Sequence, residues 1–76
     1  MKLDRLKEKA RILLQDNIRT FIKDVYDNYY FCNIKEISPD WIILKNFSGK
    51  RNGEISRIFW VDILDIREYK EEGENL

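Results

Sequence analysis

The chain has no histidine and a single cysteine, Cys32. General acid–base work near neutral pH therefore lacks its usual carrier. Cys32 falls inside an apolar alternation with no histidine to activate it, which is the setting of a small core residue rather than a nucleophile. Neither a Gly-x-Ser-x-Gly turn nor a phosphate-binding glycine loop occurs. Asp24, Asp27 and Asp40 stand among turn-forming residues and read as turn carboxylates. Without a Cys/His set to complete a ligand sphere, no metal site is expected. These residues point to a protein that is not an enzyme, with no catalytic residue and no cofactor.

The residue types able to do chemistry are aromatic and basic. Tyr26, Tyr29, Phe31, Trp41, Phe47 and Trp60 offer flat faces, and Lys45, Lys50, Arg51 and Arg57 lie among them in the chain. Rings stack on unpaired bases and cations meet phosphates, the combination that holds single-stranded nucleic acid. The candidate nucleic-acid contacts are Tyr29, Trp41, Lys45, Lys50, Arg51 and Arg57, with Lys50 and Arg51 on a basic loop tip between Gly49 and Gly53. The competing use of the same rings is to fill a small core or a contact between subunits. The basic tip is equally a solvated hairpin loop.

Net charge is zero, with 14 basic and 14 acidic residues, so the total does not mark a general polyanion binder. Its distribution is blockwise: residues 1–23 and 41–57 are basic on balance, and 24–40 and 58–76 acidic. Positive and negative faces can join copies head to tail, although mixed charge is also the ordinary surface of a small domain.

Seventy-six residues make one domain with a small core. Leu3, Leu6, Ala10, Leu13 and Leu14 recur at helical spacing and predict a helix within residues 1–17, stopped at Asp16-Asn17. The period then changes. Strands are predicted over 18–26, 29–37, 41–47, 54–61 and 63–69, with a charged tail over 70–76. Asp27-Asn28 and Ser38-Pro39-Asp40 carry turn chemistry. In the second strand Tyr30, Cys32 and Ile34 share one face and Tyr29, Phe31 and Asn33 the other. In the third, Ile42 and Leu44 alternate with Trp41 and Ile43, so both faces require cover; the helix or a neighbouring subunit is expected over Trp41 and Ile43. Met1-Lys2-Leu3-Asp4-Arg5 lacks a secretory apolar core, and no apolar run nears the roughly 20 residues that span a bilayer. The expected setting is soluble and cytoplasmic, with no membrane partner.

One helix followed by five short strands resembles the Sm-like family, and the local pattern is most similar to its bacterial Hfq type. Phe31-Cys32-Asn33-Ile34-Lys35-Glu36-Ile37-Ser38-Pro39-Asp40-Trp41-Ile42-Ile43-Leu44-Lys45-Asn46 runs without a gap against that family's second and third strands. It shares a small residue, then Ile two further on, an apolar residue three beyond, and an Ile/Leu run ending Lys-Asn. Ile63-Leu64-Asp65-Ile66 resembles the closing strand. The architecture is matched over residues 3–69, the pattern over sixteen. Cys32 stands where the family usually has glycine. Ser38-Pro39-Asp40-Trp41 replaces its Asp-apolar-Asn loop, and Phe59-Trp60-Val61-Asp62 replaces its basic motif before the last strand. No RNA-contacting residue carries over.

The resemblance implies an α+β fold, an N-terminal helix followed by a five-stranded, strongly bent antiparallel SH3-like (Sm-like) barrel. It further implies a non-enzymatic RNA-binding protein that forms homo-oligomers through its edge strands, with Phe59 and Val61 at the interface. The alternative is a protein-interaction or structural barrel with no nucleic-acid role.

Overall fold

A short amphipathic helix persists in water only when its apolar stripe is covered. In the computed structural model, which describes residues 2–70, α1 (Lys2–Gln15) buries Leu6, Ala10 and Leu13. It ends in a Schellman motif: Asn17 takes a left-handed φ of 52°, Ile18 N donates to Leu13 O at 2.9 Å and Asn17 N donates to Leu14 O at 3.1 Å. The predicted tail lies outside the described residues beyond Lys70.

Five strands follow: β1 (Thr20–Asp24), β2 (Tyr29–Ile37), β3 (Trp41–Asn46), β4 (Ile55–Phe59) and β5 (Ile63–Glu68). They form one antiparallel sheet in the order β4-β3-β2-β1-β5. The fold class is α+β. The sheet is not closed by hydrogen bonds: β4 and β5 are its two edges, so the expectation that the last strand seals a barrel is not met by a ladder. The two edges are joined by a 3-10 turn, Trp60–Asp62, whose indole is buried and donates from Nε1 to Ser38 O at 2.8 Å. A register shift between Ile34 and Glu36 bends β2.

The alternation of β2 and β3 is as the sequence predicts. Tyr30, Cys32, Ile34, Ile42 and Leu44 are buried on the inner face, while Phe31, Asn33, Trp41 and Ile43 are half-buried on the outer one. The position of the helix is a correction. Leu6, Ala10 and Leu13 join the core of Ile22, Ile34, Ile42, Leu44 and Ile66, against β2 and β5 chiefly, rather than covering Trp41 and Ile43. The inner face is the more apolar, and α1 is the only helix longer than one turn among the described residues able to cover it. Trp41 is flanked instead by Phe59 and Arg57.

Both predicted ends of the first strand were too long, for local reasons. At its start the helix stop and a bond from Thr20 Oγ1 to Ile18 O occupy the chain. At its end Asp24, nearly fully buried, folds the next four residues around its carboxylate. Oδ1 accepts from Tyr26 N at 2.8 Å and Asn28 N at 2.9 Å; Oδ2 accepts from Asn28 Nδ2 at 3.0 Å and the Tyr30 hydroxyl at 3.1 Å. Asp27, at φ 65°, completes the turn. The fourth strand likewise stops at Phe59 because Trp60–Asp62 turn as a 3-10 unit, with Trp60 N donating to Asp40 O at 3.0 Å.

Burial alone would raise the Asp24 pKa, but the bonds from Asn28, Tyr26 and Tyr30 outweigh it and hold the carboxyl below its ordinary value. A folded-state pKa lower than the unfolded one contributes stability that is present above the unfolded value, about 3.9, and lost as pH falls through the folded value. Urea denaturation is therefore expected to show the Asp24 contribution unchanged between pH 7 and pH 5 and shrinking below about pH 4. Asp24→Ala should cost about 2–3 kcal/mol at pH 7, with a smaller difference from the native protein in acid. A difference that grows in acid would contradict this role.

Candidate nucleic-acid interface

Because successive strand residues face opposite ways, β1, β2 and β5 send one set of side chains away from the helix. The register places Phe21 opposite both Phe31 and Arg67, and Lys23 opposite both Tyr29 and Asp65. Two backbone bonds extend this surface. Phe47 N donates to Phe31 O and Tyr69 N to Arg19 O, each at 2.8 Å. The outcome is a continuous row of rings. Phe21 lies 5.7 Å from Tyr29 and 5.6 Å from Phe31, and Tyr69 meets Phe31 at 5.7 Å and Phe47 at 5.2 Å, edge to face.

Cations flank the row. Arg19 sits 4.7 Å over Phe47, Lys23 5.5 Å over Tyr29 and Arg67 5.7 Å over Phe21. A depression of about 490 Å³ opens beside Phe21, Phe31, Arg67, Glu68 and Tyr69. Arg67 is also paired with Asp65. Partial burial would raise the Asp65 pKa, but the Arg67 hydrogen bond and charge, aided by Lys9, hold it below the ordinary carboxylate range. Asp65 thus stays ionised and fixes the guanidinium beside Phe21.

The six predicted contacts do not form one site. Tyr29 belongs to the row and is exposed. Lys50 and Arg51 lie next to it, on the short 3-10 turn Gly49–Arg51. Arg51 covers the Tyr30 ring at 4.6 Å and donates from NH2 to Asn28 Oδ1 at 3.3 Å. Lys45 is exposed opposite Asn33, beside Phe47. Trp41 and Arg57 stand at the other end of β3, with Arg57 5.1 Å over Trp41 and 5.5 Å over Phe59. Of the other singled-out rings, Trp60 is core, and Tyr26 is exposed with its hydroxyl 3.4 Å from Asp62 Oδ1.

Phe21, Tyr69, Arg19, Lys23 and Arg67 were not singled out from the sequence. Phe21 was within reach, since a turn at Asp27-Asn28 sets it opposite Phe31. Arg67 and Tyr69 arrive through the β1–β5 pairing, which sets Phe21 opposite Arg67 and Thr20 opposite Glu68, far apart in the chain. The expected interface residues are exposed: Phe59 on the β4 edge and Val61, at 79%, in the turn between the edges, with Ile55 and Leu64 also open to solvent. Among the described residues no three His, Cys, Asp or Glu side chains converge as a metal site, and no helix is long and apolar enough to cross a membrane. Comparison with protein-family models, curated proteins and solved structures gives no significant match.

Cys32 is fully buried, and burial pushes its thiol pKa up to about 12. Almost no thiolate exists at neutral pH, so iodoacetamide is expected to leave the native protein unmodified and to label Cys32 only in denaturant, as read by intact mass. Labelling of the native fold at the rate of a free thiol would contradict the buried placement.

Proposed function

We propose that the chain is a non-enzymatic small barrel of the Sm-like kind that binds single-stranded RNA on the outer face of its sheet and self-associates through its edge strands. The observation that carries the RNA reading is the row Tyr29–Phe21–Phe31–Tyr69–Phe47 with Arg19, Lys23 and Arg67 against it. Successive bases stack on such rings without sequence preference, and each stacked base is worth about 1–3 kcal/mol. Arg19, Lys23, Arg67 and Lys70 outnumber Asp65 and Glu68 on this face, in keeping with a phosphate backbone.

The barrel reading is supported by the strand order, the preceding helix, the bend in β2 and the 3-10 turn that joins the two edge strands. Assembly is supported by the edges themselves. An unpaired edge offers a row of backbone donors and acceptors, and here β4 exposes Ile55 and Phe59, and β5 exposes Leu64. Trp41, packed against Phe59 under Arg57, would then stand beside an intersubunit contact.

A second reading has its own observation. Each of those three cations already sits over a ring of the same chain, as in a purely structural surface. A protein-interaction or structural barrel without nucleic acid uses the same edges and leaves the row as packing.

Fluorescence anisotropy with labelled oligo(U) and oligo(A) separates the two. Binding at 50 mM salt is expected, falling steeply by 200 mM, and Arg19→Glu with Arg67→Glu should weaken it by about tenfold or more. Absence of binding by the native protein at low salt sinks the RNA reading and leaves the structural one. Light scattering tests assembly: several subunits per particle are expected, dissociating in Phe59→Lys or Val61→Asp. A strict monomer at high concentration removes the edge pairing.

A further inference from the structure

Beyond the ring row, the outer face of β2 and β3 changes character. Asn33 follows Phe31 on that face and lies opposite Lys45. Lys35 comes next. The register slips there, with Ile34 opposite Leu44 and Glu36 opposite Ile43, so Lys35 is the extra residue of a bulge and stands free of the ladder. Asn33, Lys35, Lys45, Phe47 and Asn52 line one depression of about 430 Å³. None of its lining residues is acidic. Glu36, beside Lys35 in the chain, accepts instead from the Ser38 hydroxyl at 3.2 Å.

Among the described residues, the side chains of Asn33, Lys35, Lys45 and Asn52 make no hydrogen bond or ion pair. Lys35, Lys45 and Asn52 are exposed and Asn33 is half-buried, so all four can be reached from solvent. Arg67 differs, because Asp65 already neutralises it. Two ammonium groups bordering one depression repel each other, and an anion between them turns that repulsion into attraction. Two amides beside them add free donors and acceptors. Phe47 joins this depression to the ring row: it lines the one and meets Tyr69 of the other at 5.2 Å. A strand stacked along the rings therefore passes from Phe31 and Phe47 onto Asn33 and the two lysines.

We propose that this depression is the phosphate-binding end of the outer face, an inference that rests on the RNA reading above. Lys35 and Lys45 take successive backbone phosphates of the strand whose bases stack on the rings. Asn33, set between the lysines and Phe31, meets the edge of the first base beyond the stack. The labour is divided along the face. The rings hold bases through contacts that salt leaves alone, and the two lysines supply charge contacts that salt weakens.

The test is the salt dependence of oligo(U) binding, read by fluorescence anisotropy between about 50 and 200 mM salt. Each phosphate neutralised on a single strand contributes about 0.7 to the slope of log affinity against log salt. Lys35→Gln with Lys45→Gln is therefore expected to lower the slope by about 1.4 and to weaken binding at the low-salt end by about tenfold or more. Both lysines are exposed, so the variant keeps its core. Lys2→Gln with Arg5→Gln, on exposed positions of α1, removes the same charge and should leave the slope as it is. Asn33→Ala should weaken binding equally at every salt concentration. A native slope in the Lys35/Lys45 variant overturns the site and leaves the RNA reading standing. An equal fall in the α1 variant overturns it too, because total charge would then account for the effect. Absence of oligo(U) binding by the native protein removes the RNA reading and this site with it.

Discussion

A bent five-stranded sheet has two faces, and α1, the single long helix among the described residues, can cover only one. α1 goes to the inner face, where Leu6, Ala10 and Leu13 meet Ile22, Ile34, Ile42, Leu44 and Ile66. Ala10 is fully buried in this contact. A larger side chain there would have to push the helix away from the sheet, because well-packed cores do not absorb extra methylenes without strain. The outer face is left to cover itself. Burying a large apolar side chain is worth about 1.5–3 kcal/mol, and the outer rings recover part of that by packing on each other. Arg19, Lys23 and Arg67 lay their charged ends against the rings that remain. The row is thus a product of the fold's incomplete cover.

A second, polar centre holds the loops at one end of the sheet. Asp24 accepts from Tyr26, from both donors of Asn28 and from Tyr30, so the β1–β2 turn is tied to the ends of both strands. The Tyr30 hydroxyl stays protonated through burial, its hydrogen bond to Asp24 and that carboxylate's charge, which together exceed the opposing effect of Arg51. Arg51 reaches across from the β3–β4 loop to Asn28 and covers Tyr30. Lys50 and Arg51, legible as a basic tip, therefore have different duties. Arg51 joins two loops, and Lys50 stays on the exposed tip.

Much of this was legible because it is local. Apolar alternation settled which sides of β2 and β3 face inward, and Asn17 marked the helix end through its tolerance of a left-handed backbone. Asp24 is the instructive failure at the strand end. As a member of the alternating run it reads as strand, but its carboxylate competes for the backbone donors that would have continued the ladder. That the helix leaves Trp41 and Ile43 to other cover was not legible, because alternation shows that a face is apolar and not which face the helix prefers. The ring row was half visible. Tyr29, Phe31 and Phe47 are close in the chain, whereas Arg67 and Tyr69 come to Phe21 and Phe31 only once β5 pairs with β1. No periodicity encodes that pairing. The open edges were equally out of reach, because a closed ladder and an edge bridged by the Trp60–Asp62 turn demand the same residue pattern.

The outer ring row is the proposed surface for bases. Ultraviolet cross-linking of the native protein to oligo(U), followed by mass spectrometry of the peptides, reads that contact residue by residue. Adducts are expected on Phe21, Tyr29, Phe31 or Tyr69, the rings of the row. Adducts confined to Trp41 and Phe59 at the far end of β3, or to α1, would contradict it.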